Sequence, residues 1–538
     1  MPHPKSARRA MVTVVAVIIL VPAILGGFVL RSRAKSAGSA RLLEQVLQLV
    51  STRAVDSLGA DALYEKAARG LVRGLDDPYA GLYSPTELAS FMRNAIGNAY
   101  GGLGVSIEDQ DGAITVGQVF SGSPAANGGV ERGDRIVAID GEPVVKWSID
   151  KVSQHLVGKD GTQVEVVFAR AGVSEPVKTR FTRAIVHAPS VPYAMMVDEK
   201  TGYVPLERFN ETASVEMARA IGSLRLKGAT AFVIDLRGNP GGDLDQALAV
   251  SNLFLKRGLE IAQLRGRGAT PEIHRSVDGA ILTSEPVVIL VDGYSASASE
   301  IVAGALQDHD RALVVGTPSF GKGLAQSIYT LDGGYALKLT TAKWYTPSGR
   351  SIQRERKFVD GKFVAEDTSA AARDSLKKAP RPAYKSDAGR VVYGGGGVTP
   401  DVTVDADTIT APEQQLLRAL APKASKARGA LFDVSREVAR DVKGSAQPDF
   451  SVAPAWRESY YRRLTSAGII VDRAMFDAAM PLIDRMIGRQ VASFAFGDST
   501  AFRHSIPDDA QLKKALALLK HAVSQTALLA EVATARNE

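Results

Sequence analysis

The sequence predicts a multidomain α/β protein, and three observations carry that prediction. Between residues 231 and 316, apolar runs lead into glycine turns and helical stretches: Ala231-Phe232-Val233-Ile234-Asp235-Leu236, then Val287-Val288-Ile289-Leu290-Val291, then Leu313-Val314-Val315-Gly316. Such repetition builds a mostly parallel sheet, whose loops at the strand C-terminal ends form sites. From Gly101 to near Arg183, short alternating strands and glycine turns imply a small β-rich domain. Helical periodicity brackets both, in an arm over 36–95 and an extension over 406–538. At 538 residues the chain also exceeds the size at which one core stops growing.

Each element follows from its residues. Ala10 to Leu30 holds no charge over 21 residues, enough to cross the roughly 30 Å hydrocarbon core as a helix. A cleaved secretory signal has a shorter apolar region, about 7–15 residues. Residues 1–35 are therefore expected to be a cytoplasmic tip and an uncleaved, single-pass anchor. Ser36-Ala37-Gly38-Ser39-Ala40 is the stretch where cleavage would otherwise fall. Three basic residues flank the span on each side, so positive-inside counting leaves its orientation unread. In the arm, Leu42-Leu43, Val46 and Leu49-Val50 recur at helical spacing, and Ser84-Pro85-Thr86-Glu87 starts a fresh helix. An arm in that place is compatible with self-association. Residues 354–394 are polar and charged and read as an exposed, partly disordered excursion. From about 411 the chain reads as helices, including 414–420 and 511–529, with no motif for chemistry.

Composition excludes several classes. Without cysteine there is no disulfide and no thiolate metal site. The net charge of +7 suggests nucleic acid until it is located. Seven basic residues and no acid lie in 1–41, leaving 58 basic against 58 acidic residues beyond. The body is neutral, and a nucleic-acid partner loses its support.

Three glycine-turn segments sit where an α/β enzyme builds its site: 239–242, 295–299 and 320–323. In the second, Ser295-Ala296-Ser297-Ala298-Ser299-Glu300, Ser297 and Glu300 fit a capping box. A serine there that attacked a carbonyl would need a base, and donors for the oxyanion. Of seven histidines only His309 is near in sequence, between Asp308 and Asp310, where a solvated side chain is the simpler reading. Lys322, between two glycines after a buried strand, is the better base. It works only when neutral, and bringing a free pKa of about 10.4 near 7 costs roughly 3–5 kcal/mol. Burial supplies such a shift. Gln326 would hold the amine if the segment after Lys322 were helical. The bland reading of a Gly-Lys-Gly turn is solvent exposure. A phosphate loop over 316–322 is weak, because Gly323 replaces the magnesium-binding hydroxyl.

The order of four motifs, Asp235-Leu236-Arg237-Gly238-Asn239-Pro240-Gly241-Gly242, Ser295 to Glu300, Phe320-Gly321-Lys322-Gly323 and Tyr345-Thr346-Pro347-Ser348-Gly349-Arg350, resembles the carboxy-terminal processing peptidases. These are the S41 tail-specific proteases with a Ser–Lys pair. The resemblance implies a crotonase/ClpP-like α/β protease core over 186–405 with an inserted domain. It implies Ser297 as nucleophile, Lys322 as base 25 residues later, and Gln326 as assisting residue. The oxyanion donors would be the amides of Ala298 and Gly242. Gly101-Gly102-Leu103-Gly104, with Ser123-Pro124-Ala125-Ala126 and Gly133-Asp134, resembles a PDZ domain, here over 96–185. Its Gly-Leu-Gly loop would capture a C-terminal carboxylate while the tail adds as a strand. A PDZ fold that only gates the active site is the alternative.

Together these readings imply a membrane-tethered serine endopeptidase on the extracytoplasmic, periplasmic side of the inner membrane. It would act on proteins with flexible apolar C-termini. No metal or organic cofactor is implied. A homo-oligomer and an activating partner are both compatible with the sequence. The rival readings are a catalytically silent PDZ adaptor and a crotonase-like acyl-CoA enzyme. The excursion at 354–394 and the extension depart from the minimal family pattern without touching the Ser–Lys set.

Overall fold

The computed structural model describes residues 41–535 except 57, 96–98, 111, 171, 356–357, 360–361, 364–380, 406–408 and 446–447. The expected anchor thus lies outside the described residues. Among those described, no helix is long and apolar enough to cross a membrane.

The chain divides into two units. The smaller comprises the arm up to Tyr83, Ile328–Leu339 and Phe358–Lys362. Here α1 (Ala60–Arg73) presents Arg69, which pairs with Glu65 at 2.8 Å and donates to the carbonyl of Leu82. Strand β1 (Gly81–Tyr83) runs antiparallel to Ala336-Leu337-Lys338. Leu42, Leu43, Val46 and Leu49, in the helix over residues 41–53 that precedes α1, are exposed.

In the larger unit, α2 (Pro85–Ala95) begins at the predicted serine, whose N–H donates to Glu87 at 2.7 Å. The β-rich domain follows. Strands β2 (Ala99–Gly102) and β8 (Ala184–His187) pair antiparallel and close its two ends together. Between them β3 (Val105–Gln110), β4 (Ala113–Val119), β5 (Arg135–Ile139), β6 (Gln163–Ala169) and β7 (Val177–Thr182) form one sheet, with β3 at its edge. Helix α3 (Ile149–Leu156) packs Val152 and Leu156 onto Val116 and Val166 of that sheet.

The core sheet explains the long apolar runs. Strands β9 (Thr201–Pro205), β10 (Ala231–Asp235), β11 (Val287–Val291) and β12 (Leu313–Gly316) are parallel neighbours in that order. The short strand Val402–Thr403 extends the sheet beyond β12. Side chains alternate between two buried faces. Phe232, Ile234, Val287 and Ile289 face the helices α4 (Ala213–Leu226), α5 (Leu244–Asn252) and α6 (Ala298–Asp308). Ala231, Val233, Val288 and Leu290 face the opposite way.

What covers that second face was not legible in the sequence. The extension is two structures. Its first part, including α7 (Ala424–Ser445) and α8 (Met480–Phe496), has a core of its own around Tyr460, Ile483 and Ile487. Helix α9 (Asp498–Arg503) then meets the β-rich domain, where Asp498 pairs with Arg132 at 2.6 Å and accepts from Gln118 at 3.1 Å. The last two helices, α10 (Ala510–Leu519) and α11 (Gln525–Ala535), press Leu512, Leu519 and Leu528 against Val233, Leu290 and Val315. These last helices are therefore a layer over the core sheet and not an appendage. The 354–394 excursion also differs from expectation in its described part. Ala383–Lys385 and Val391–Tyr393 pair as a hairpin. Its Arg390 bridges Asp310 and Asp401 at 2.5 Å each, so the charge there is partnered and not solvated.

Leu519 is fully buried between α10 and the sheet. Leu519→Ala is expected to destabilise the protein by about 2–5 kcal/mol, read as a lower midpoint in chemical unfolding.

Candidate functional site

The three glycine-turn segments meet at the C-terminal edge of the core sheet. The first leaves β10 as Arg237–Gly242, the second leaves β11 toward α6, and the third follows β12. Ser297 stands at the start of α6 with φ 55° and ψ −110°. A non-glycine residue with positive φ is uncommon and is sustained only where its surroundings dictate it. They do so through its neighbours. The Ser295 hydroxyl donates to the carbonyl of Leu236 at 2.8 Å and accepts from the Asp292 N–H at 2.9 Å. Ser299 donates to the carbonyl of Asn239 at 3.0 Å, and the Ala296 N–H donates to that same oxygen. The flanking serines thus sew the segment to the first turn, with Ser297 between them.

Gly241 fixes how close that turn approaches. At φ 95°, a Cβ added there would lie 2.9 Å from both the Ser297 Cβ and the Ala298 nitrogen. Only glycine fits, conformationally and sterically. The Gly241 N–H is committed to the Asn239 side chain at 2.8 Å. By contrast, the N–H groups of Gly242 and Ala298 have no acceptor among the described residues. These are the two amides expected as oxyanion donors, and Ala298 opens the 11-residue α6, whose N-terminus favours negative charge.

The loop carrying Lys322 is held by Glu300, whose role in the sequence is only that of a helix cap. Glu300 closes the predicted capping box by accepting from the Ser297 N–H at 2.8 Å. The same fully buried carboxylate accepts from the N–H of Gly321 at 2.6 Å, the N–H of Lys322 at 2.9 Å and the hydroxyl of Ser319 at 2.5 Å. Burial pushes its pKa up, against the pull of these four donors. The Phe320 N–H adds a bond to the carbonyl of Ser295 at 3.0 Å. The sequence signal for this role is an acid at a helix start that leads directly into an apolar run, Ile301 to Leu306. On the far side, the Lys322 carbonyl accepts from the Trp344 indole at 3.1 Å.

Gln326 differs from expectation. The chain after Lys322 is a strand, β13 (Leu324–Thr330), hairpinned with β14 (Ala336–Tyr345). Four residues span about 13 Å of strand against about 6 Å of helix, so the helical route from Gln326 to the amine is absent. Its amide donates weakly to Thr340 at 3.5 Å, and its Oε1 has no partner among the described residues. His309 is also placed otherwise than predicted. Its imidazole is largely buried between Asp387, at 2.8 Å, and the carbonyl of Glu260, at 2.7 Å. It lies at the opposite end of α6 from Ser297, about 18 Å along the axis, and cannot serve as its base.

In the β-rich domain the Gly101–Gly104 loop runs into the edge strand β3. Gly104 has φ 79°, and its carbonyl accepts from the Phe120 N–H, while Leu103 is buried. The N–H groups of Leu103 and Gly104 meet no acceptor among the described residues. Paired amides beside an open strand edge suit a carboxylate-terminated strand.

The chain is similar to known proteins. The model described as Peptidase family S41 matches residues 200–363, and that described as PDZ domain matches 115–170. A carboxy-terminal-processing protease of Bartonella bacilliformis is 39% identical over 313 residues, covering 57% of this chain and 71% of that protein. The carboxy-terminal processing protease CtpA of Bacillus subtilis is 32% identical over 329 residues, covering 61% and 70% respectively. A solved photosystem II D1 C-terminal processing protease is 27% identical, covers 67% of this chain and 86% of its own, and superposes with a TM-score of 0.36.

Glu300→Gln would turn an NH2 group toward two N–H donors and cannot satisfy all four. A fall in thermal midpoint accompanied by at least tenfold lower kcat is expected, measured by calorimetry and peptide hydrolysis.

Proposed function

Since the chain belongs to peptidase family S41, as a carboxy-terminal processing serine protease with a PDZ domain, we propose that its chemistry runs on Ser297 and Lys322. The observation that carries this is the shared carboxylate of Glu300, which locks the serine segment to the lysine loop. The PDZ domain receives a flexible, apolar C-terminal tail. The tail carboxylate meets the amides of the Gly101-Gly102-Leu103-Gly104 loop, and the chain adds along β3. Ser297 Oγ attacks the scissile carbonyl carbon while neutral Lys322 takes its proton. The N–H groups of Gly242 and Ala298 receive the developing oxyanion. Collapse of that intermediate expels the amine, which takes the proton back from Lys322. Water then hydrolyses the ester, with Lys322 again as base. Gln326 stays the assisting residue that the S41 resemblance implies, its Oε1 without a partner among the described residues but carried on a strand and not on a helix. The apolar stretch from Ala10 to Leu30 tethers the enzyme to the membrane with the protease on the extracytoplasmic side.

The test uses soluble residues 36–538 and an unstructured substrate with an apolar tail. Ser297→Ala and Lys322→Ala are each expected to lower cleavage by 10³-fold or more, and masking the tail carboxylate to raise KM. Residual cleavage by Ser297→Ala would remove it as the nucleophile. A lysine base also sets the sign of the pH profile. kcat/KM rises toward alkaline pH as the amine loses its proton, and levels off once it is neutral.

A further inference from the structure

We propose that Asp509, beyond the family match, is a positioning residue for this reaction: through Arg237 it holds the turn that presents the Gly242 amide. The inference rests on the reading of Ser297 as nucleophile and of Gly242 and Ala298 as oxyanion donors.

Arg237 is the first residue of that turn. Its guanidinium lies between two carboxylates, one two residues before it and the other 272 residues after it. Asp235, at the end of β10, is 2.6 Å away. Asp509, immediately before α10, accepts two parallel bonds, Nη1 to Oδ1 at 2.9 Å and Nη2 to Oδ2 at 2.7 Å. Gln511 Oε1 accepts a third bond at 3.2 Å. Paired bonds of this kind fix direction as well as distance. Burial works against the Arg237 charge, and the two carboxylates more than offset it. Asp235 is itself fixed, since its Oδ2 accepts from the Tyr203 hydroxyl at 2.7 Å. The ring of Tyr203 stacks on Phe502 of α9 at 4.2 Å.

The rest of the turn has little rigidity of its own. Gly238, Gly241 and Gly242 have φ of 70°, 95° and 151° and no side chains to pack. The Gly241–Gly242 peptide is itself gripped by Phe209, whose N–H donates to the Gly241 carbonyl at 3.1 Å and whose carbonyl accepts from the Asp243 N–H at 2.8 Å. The stretch leading into it is anchored by Asn239 in the middle and Arg237 at the start. Asn239 is held within the core, by the carbonyl of Leu206 at 2.7 Å. Arg237 is held by Asp235, whose Oδ1 accepts from its N–H and its Nε at 2.9 Å each, and by Asp509 of the C-terminal segment. An oxyanion donor misplaced by about 1 Å costs rate and not ground-state binding.

Asp509 also caps α10, its Oδ1 accepting from the Leu512 N–H at 2.9 Å. Asp509→Asn keeps an oxygen for that cap while removing the charged fork, so it separates the two roles. kcat and KM would be measured on the tail-bearing substrate, with the thermal midpoint and the rate at which a fluorophosphonate labels Ser297. The expected result is at least tenfold lower kcat, KM within about twofold, labelling slowed in parallel and a nearly unchanged midpoint. Asp509→Glu should restore part of both rates. Unchanged kcat and labelling would overturn the proposal. So would a rise in KM alone, or a kcat loss that only tracks a lower midpoint. Ser297→Ala run alongside keeps the failures apart. If it is unlabelled and inactive while Asp509→Asn behaves as wild type, only the role of Asp509 falls. If it still labels and cleaves, the nucleophile reading falls first.

Discussion

The site depends on one buried carboxylate. Glu300 has no access to water, so its oxygens must find donors within the protein. It finds four, from Ser297 on one loop and from Ser319, Gly321 and Lys322 on the other. Neither loop can move without leaving a carboxylate oxygen or a backbone N–H unsatisfied in a low-dielectric interior. The unusual backbone of Ser297 is sustained in the same way, because its own N–H is one of those four bonds. One side chain thereby converts two loops, the second following Ser297 by 22 to 25 residues, into a single rigid element.

The parallel sheet supplies the platform for this arrangement. Strands β10, β11 and β12 end together, so the three turns that follow them converge at one edge. The apolar faces above and below keep that edge in place, one covered by α4 to α6 and the other by the last two helices. Each turn then needs polar stitching, since glycines provide close approach but no packing. Ser295, Ser299 and Asn239 do this for the first two turns. The third is seated on the returning chain, where the Ser319 N–H donates to the carbonyl of Val398 and its hydroxyl accepts from the Val398 N–H.

Local pattern carried much of this into the sequence. The strands of the core were visible as apolar runs because both their faces are buried. The start of α6 was visible as a capping box, and the β-rich domain as alternation between glycine turns. What failed to show had a common cause, namely dependence on partners remote in sequence. The segment holding Gln326 has no strong period, and pairing with β14 makes it a strand. The charges of the excursion look solvated until Arg390 meets Asp310 and Asp401. His309 looks exposed between two acids, yet Asp387 and the Glu260 carbonyl enclose it.

The sequence by itself determined the order of the domains, the strands and helix starts, and the residue types able to do serine-protease chemistry. These are encoded over a few neighbouring residues, where periodicity and turn chemistry act. Tertiary structure alone decided that Glu300 bridges two loops, that Gly241 abuts Ser297 while Gly242 keeps its amide uncommitted, and that the chain's last helices are a layer of the core. Each of these is a contact between segments far apart in the chain. Such contacts are selected by burial and by the need to satisfy every buried polar group, and no local pattern records which distant residue will do so.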